Sequence, residues 1–126
     1  MATFKYTRIF NGPENVSHFE DIEVDLGDVG QGSVLSKLFP ATGLNMRRNN
    51  MAYDLDWHPA PRRQFVVNLT GAVEITASDG EVRVFGPGSV MLADDTEGKG
   101  HLSKHVGSEE RISLFIHIPG DQPIPR

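Results

Sequence analysis

Residues 64–69, Gln-Phe-Val-Val-Asn-Leu, form a strongly β-prone run that ends at Thr70-Gly71, and the segments around it alternate with a period of two. Ile22, Val24 and Leu26 alternate with Asp21, Glu23 and Asp25, the pattern of a half-buried strand. Met51, Tyr53, Leu55 and Trp57 alternate with Ala52, Asp54 and Asp56 and lead straight into His58. Val73, Ile75 and Ala77 match Val82 and Val84 by period across Ser78-Asp79-Gly80, which predicts a hairpin. Gly86-Pro87-Gly88 then turns the chain into the apolar run 90–93. Near the end, Ile112, Leu114, Ile116 and Ile118 alternate with Ser113, Phe115 and His117. The cluster Val34, Leu35, Leu38 and Phe39 fits a strand or a short helical turn equally well. Short strands at regular spacing predict an all-β sandwich or barrel.

At 126 residues the chain is expected to form a single domain, 1–126, with a core that needs no disulfide or structural metal. The 13 Gly and 8 Pro supply the many turns such a fold requires. Cysteine is absent, which excludes a disulfide framework, a thiolate nucleophile and any Cys-ligated metal. A net charge of −5 argues against nucleic-acid and anionic-membrane partners. With no apolar run of membrane-spanning length and no signal-like start, a cytoplasmic location is expected.

Chemistry concentrates between Trp57 and His101. Residues 58, 60, 62 and 64 share parity, and Pro59 and Pro61 hold the segment extended, so an inward His58 brings Gln64 and Arg62 with it. His101, Ser103 and His105 share one face if they form a strand. Arg62 suits a bidentate clamp on a carboxylate or phosphate, or else a surface salt bridge; Arg63, of opposite parity, is expected to be solvated or paired. Trp57 is expected in the core or cavity wall, where it would contact a ligand. Asp94, Asp95 and Glu97 read as a charged surface loop, the alternative being that they act on the neighbouring histidine or serve as a base. His18 is expected to be exposed, and His117 to have a structural role. No Ser-His-Asp signature, phosphate loop or zinc-binding helix occurs.

From about Asp54 to Ile118 the chain resembles the small single-domain cupins. Their first motif has two histidines one residue apart, then a glutamate, then a glycine. His58 takes the first histidine position, Ala60 falls at the second, and Gln64 stands for the glutamate ahead of Gly71. The second motif has a glycine, a Pro-x-Gly turn, a histidine and then an asparagine. Gly80 and Gly86-Pro87-Gly88 match with an offset of one residue, His101 takes the histidine position, and His105 stands where the asparagine would be. The resemblance implies a double-stranded β-helix, or jelly-roll, barrel that brings His58 and His101 together at its mouth.

It further implies a divalent transition metal (Fe, Mn, Ni, Cu or Zn) on His58, Gln64 and His101, or no metal and a hydrogen-bonded polar mouth. His101 and His105 are the catalytic candidates, and Arg62 and Trp57 the ligand-binding ones. The expected function is action on a small molecule, as a metal-dependent lyase, isomerase or oxygenase. The alternatives are a metal-free acid–base enzyme and a non-catalytic binding or sensing module. A homodimer is expected, paired through apolar N- and C-terminal strands.

Overall fold

The computed structural model describes residues 2–126, and among them there are twelve strands, one 3-10 turn (Pro13–Asn15) and no α-helix. A six-stranded sheet has the order β2 (Ser17–Asp25), β1 (Thr3–Asn11), β10 (Val90–Asp94), β7 (Gln64–Thr70), β12 (Arg111–His117), β5 (Gly43–Asn49). A four-stranded sheet has the order β6 (Asp54–His58), β11 (His101–Val106), β8 (Ala72–Ala77), β9 (Val82–Phe85). A small hairpin, β3 (Gly27–Gly30) with β4 (Ser33–Leu35), stands apart from both. β1 runs parallel to β10, and the other pairings are antiparallel. The chain is thus all-β, with two main sheets packed as a sandwich. No helix among the described residues is long and apolar enough to cross a membrane.

Ile9, Phe19, Val66, Met91 and Ala93 of the larger sheet meet Val73, Ile75, Ala77 and Phe85 of the smaller one in the core. Strand residues alternate faces, so Leu92, between Met91 and Ala93, points to the other side of the larger sheet. There it joins Tyr6, Ile22, Val24 and Ile118 in a second cluster, against which Phe39, Phe65 and Ile124 pack. Leu92 is fully enclosed, and that burial contributes roughly 1.5–3 kcal/mol. The C-terminal tail covers part of this cluster. Tyr6 Oη donates to the Pro125 carbonyl at 2.6 Å, and Arg63 donates to the carbonyls of Pro119, Gly120 and Gln122. Arg63 and Arg8 together grip Asp94, at 2.8 Å each, so Arg63 is paired as expected.

The hairpin around Asp79-Gly80 forms, with Thr76 opposite Val82 and Glu74 opposite Val84. Val82 and Val84 are exposed, however, because they share the outer face with Thr76 and Glu74; Phe85, opposite Val73, fills the core instead. β6 begins at Asp54 rather than Met51, since a turn at Met51-Ala52 closes with the Tyr53 amide donating to the Asn50 carbonyl. Val34 and Leu35 lie in β4, while Leu38 and Phe39 follow in an extended segment without regular structure. In β12, Arg111 and Ser113 are buried, so the polar members of that alternation face the space between the sheets.

Candidate functional site

A cavity of about 180 Å3 lies between the sheets. His58 and His101 line it, as do Gln64 and Val66 from β7 and Met91 and Ala93 from β10. Arg47, Tyr53, Ser103, Arg111 and Phe115 complete much of the wall.

His58 and His101 are directly opposed across the β6–β11 pair, and their ring centres are 4.5 Å apart. A register shift follows at once, between His101 and Ser103, and such bulges commonly re-aim side chains beside functional sites. The approach of the two segments depends on Gly100. Its φ is +74°, and a Cβ there would lie 2.0 Å from the His58 carbonyl oxygen. Ser17 Oγ, fully buried, donates to the Gly100 carbonyl at 2.7 Å and accepts the Ser78 amide, tying this loop to β2 and to the end of β8.

Each histidine uses Nδ1 to bond an oxygen. His58 Nδ1 lies 2.7 Å from the Asp56 carbonyl, and His101 Nδ1 lies 2.5 Å from Asp95 Oδ2. A carbonyl and a carboxylate only accept, so a neutral ring in either place carries its proton on Nδ1 and leaves Nε2 as a lone-pair donor. Asp95 is 0% exposed, and its Oδ1 has no hydrogen-bond partner among the described residues. The Asp95 carbonyl accepts the Ala60 amide at 3.0 Å, which fixes the carboxylate relative to the His58 segment.

Two imidazole nitrogens on one metal at ~2.1 Å and a right angle place their ring centres roughly 4.5 Å apart, so the spacing of this pair suits a shared ion. Gln64, 6% exposed and on the cavity wall, offers a neutral amide oxygen as the third donor. Among the described residues no three His, Cys, Asp or Glu side chains gather in a metal-binding group.

Further along β11, Ser103 Oγ lies 2.6 Å from Tyr53 Oη. Arg111 is 3% exposed, with Nε donating to Asn68 Oδ1 at 2.8 Å. Burial is the main influence lowering its pKa from the ordinary arginine value; Tyr53 opposes this, and the like charge of Arg47 adds to it. Arg47 is exposed and lays its guanidinium over the Phe115 ring, 4.4 Å from the centroid.

The structure therefore brings His58, Gln64 and His101 to one cavity, and it moves three other candidates elsewhere. Arg62 lies outside the cavity with its Nη1 3.3 Å from His117 Nδ1, because a bend at Pro61-Arg62 breaks the parity that linked it to Gln64. His105 is four residues from His101, roughly 13 Å along the strand. It sits opposite Val73 and does not line the cavity, and both ring nitrogens are buried without partners. Trp57, adjacent to His58 and so on the other face of β6, is half-buried outside the cavity beneath Lys99 Nζ at 4.0 Å.

The acidic loop is corrected as well. Asp95 is a buried partner of His101 and Asp94 an ion-pair hub, and of the three only Glu97 is exposed. His18 is partly exposed and paired with Asp79 at 3.0 Å. Arg111, Tyr53 and Arg47 are cavity residues that the sequence pattern did not single out. No protein-family model matches the chain, and no curated protein is significantly similar to it.

Proposed function

We propose that this chain is a cupin-type small-molecule enzyme whose reaction centre is the His58–His101 pair, holding one divalent transition metal through both Nε2 atoms and the Gln64 side-chain oxygen. The observation that carries this is the state of the two rings. Both Nδ1 atoms are engaged by oxygen acceptors, leaving two Nε2 donors for one cavity. A histidine ligand ordinarily donates its other ring N–H to such an oxygen, and Asp95 makes His101 a better donor by accepting it. The bound metal would supply Lewis-acid polarisation of a substrate oxygen. Gln64 brings no charge, so the donor set is neutral and holds its ion less tightly than one with a carboxylate. Two facing sheets around one cavity, built mainly from antiparallel pairs, support the jelly-roll architecture of that superfamily. The exposed apolar residues beside β5 support a homodimer.

A second reading has its own observation. The Asp95–His101 contact at 2.5 Å, shielded from solvent, also suits a metal-free general base acting through Nε2. Elemental analysis of protein purified without added metal separates the two. A stoichiometric transition metal that is lost in His58→Ala and in His101→Ala, and kept in His18→Ala, supports the metal centre. Background metal in the unsubstituted protein overturns it in favour of the acid–base reading.

A further inference from the structure

The charge of the cavity narrows the class of molecule it accepts. Two arginines line it, and no Asp or Glu does, in a chain whose net charge is −5. Arg111 is the more telling of the two. Among the described residues its Nε donates to the neutral amide oxygen of Asn68 and the Tyr53 hydroxyl lies beside it, but it has no carboxylate within ion-pair distance. A guanidinium taken out of water without a counter-ion carries a desolvation cost that a ligand anion can offset. Its Nε is spent on Asn68, and the planar fork has further N–H groups left for an oxyanion. The partly buried arginines are treated differently: Arg63 and Arg8 both end on Asp94.

The position of the cation fits the reaction centre. Asn68 lies four residues from Gln64 on β7, roughly 13 Å along the strand, and both face inward. On the opposite sheet, Ser103 with its Tyr53 partner is two residues beyond His101. The cavity is thus polar at its two ends, with the histidines and Gln64 at one and Arg111 at the other. Between them the wall is apolar, formed by Val66, Ile75, Met91 and Phe115. A volume of about 180 Å3 matches roughly six to ten non-hydrogen atoms, judged against a benzene-binding cavity of ~150 Å3.

We propose that the substrate is a small carboxylic acid with an apolar body, bound with its carboxylate on Arg111 and Arg47 and its far end against His58 and His101. A planar carboxylate suits the fork of Arg111, and a monoanion suits a pocket in which Arg47 is open to solvent and Arg111 is enclosed. Tyr53 Oη, bonded to Ser103 Oγ, closes the same end. The inference rests on reading this cavity as the substrate site, and its test does not depend on the metal.

The test uses chelator-treated protein titrated with isovalerate and benzoate, with the uncharged amides of the same acids, and with inorganic phosphate, followed by calorimetry and amide chemical shifts. The acids are expected to bind at least about tenfold more tightly than their amides, with shifts at β12 and β7. Arg47→Gln, at an exposed position, is expected to weaken the acids about fivefold and leave the amides unchanged. Arg111→Gln, checked for an unchanged unfolding midpoint, is expected to weaken them at least about tenfold, the scale of a lost charged hydrogen bond. His101→Ala is expected to retain acid binding, so failure of the metal centre is separable from failure of the anion site. Acids that bind no better than amides, binding indifferent to both arginine substitutions, or phosphate tighter than either acid would each overturn the proposal.

Discussion

Replacing Asp95 by Asn separates what the buried carboxylate does for the fold from what it does for His101. The two side chains are nearly isosteric, and one oxygen of Asn can still accept the His101 Nδ1 proton across the 2.5 Å contact. The amide nitrogen then takes the place of Oδ1, which has no partner among the described residues. A neutral amide costs less to bury than a carboxylate, so the lost charge and the unpaired N–H nearly cancel, and stability is expected to stay within about 1 kcal/mol. The effect on the site is larger. The oxygen that accepts a histidine ligand's other ring N–H is worth roughly 10–100-fold in metal affinity, which is about 1.4–2.7 kcal/mol.

Asp95→Ala is expected to do the reverse to stability. It leaves the Nδ1–H without an acceptor and opens a void at a site that is fully enclosed. That costs about 1–3 kcal/mol before any loss of packing. Urea unfolding gives the stability of both variants, and cobalt titration with optical detection gives the affinity. Nitrogen-15 shifts of the His101 ring in the metal-free protein report its tautomer, expected to be Nδ1–H in wild type and in Asp95→Asn. Cobalt affinity within twofold of wild type in both variants, or an Nε2–H tautomer in wild type, would refute the reasoning.

The period-two pattern was sufficient for the all-β class and for most strand positions, because alternation and the Gly and Pro punctuation act locally. It assigned faces less well. The larger sheet is apolar on both sides, so in β12 the row Ile112, Leu114 and Ile116 lies away from the cavity, while Arg111 and Phe115 line it and Ser113 between them is buried. Reading apolar as inward therefore hid Arg111. The same inversion occurs in β7, where Phe65 faces the outer cluster while Gln64 and Asn68 face inward. Gln64 was nevertheless legible, since it falls at a motif position, as His58 and His101 do. Arg62 and His105 lie outside the cavity for a different reason. Parity carries a face along a continuous strand, but it crosses neither the bend at Pro61-Arg62 nor the length of a strand whose cavity is confined to one end. Asp95 could be placed only by knowing that its loop folds back onto Ala60, a contact between distant segments that local pattern does not encode.

Gly100→Ala is expected to destabilise the fold by about 3 kcal/mol, combining a left-handed φ with a Cβ overlapping the His58 carbonyl, and to abolish metal retention; an unfolding midpoint close to wild type would contradict the geometry. Burial raises the Tyr6 pKa from 10.0 to about 12, against the opposing charges of Arg126 and Arg8. The folded value lies above the unfolded one, so this stabilisation is complete below pH 10 and is lost as pH rises toward 12, a span worth at most about 2.7 kcal/mol. Tyr6→Phe is expected to flatten that alkaline limb in urea unfolding, and an unchanged slope would assign the limb to other groups. The dimer is the last expectation. β5 ends the larger sheet and pairs on one side only, with β12, leaving an open edge of the kind that recruits another chain. Met46 on that strand is 82% exposed and Leu38 just before it 98%, with Leu35 and Leu44 also exposed. A two-fold contact across this edge would cover Leu44 and Met46 on β5 itself and need bury only the ~1,200–2,000 Å2 typical of a stable interface. Light scattering is expected to give twice the 13.9 kDa chain mass at micromolar concentration. Leu38→Asp with Met46→Glu is expected to halve it without changing metal content, and a wild-type monomer at tens of micromolar would show that this edge is not an interface.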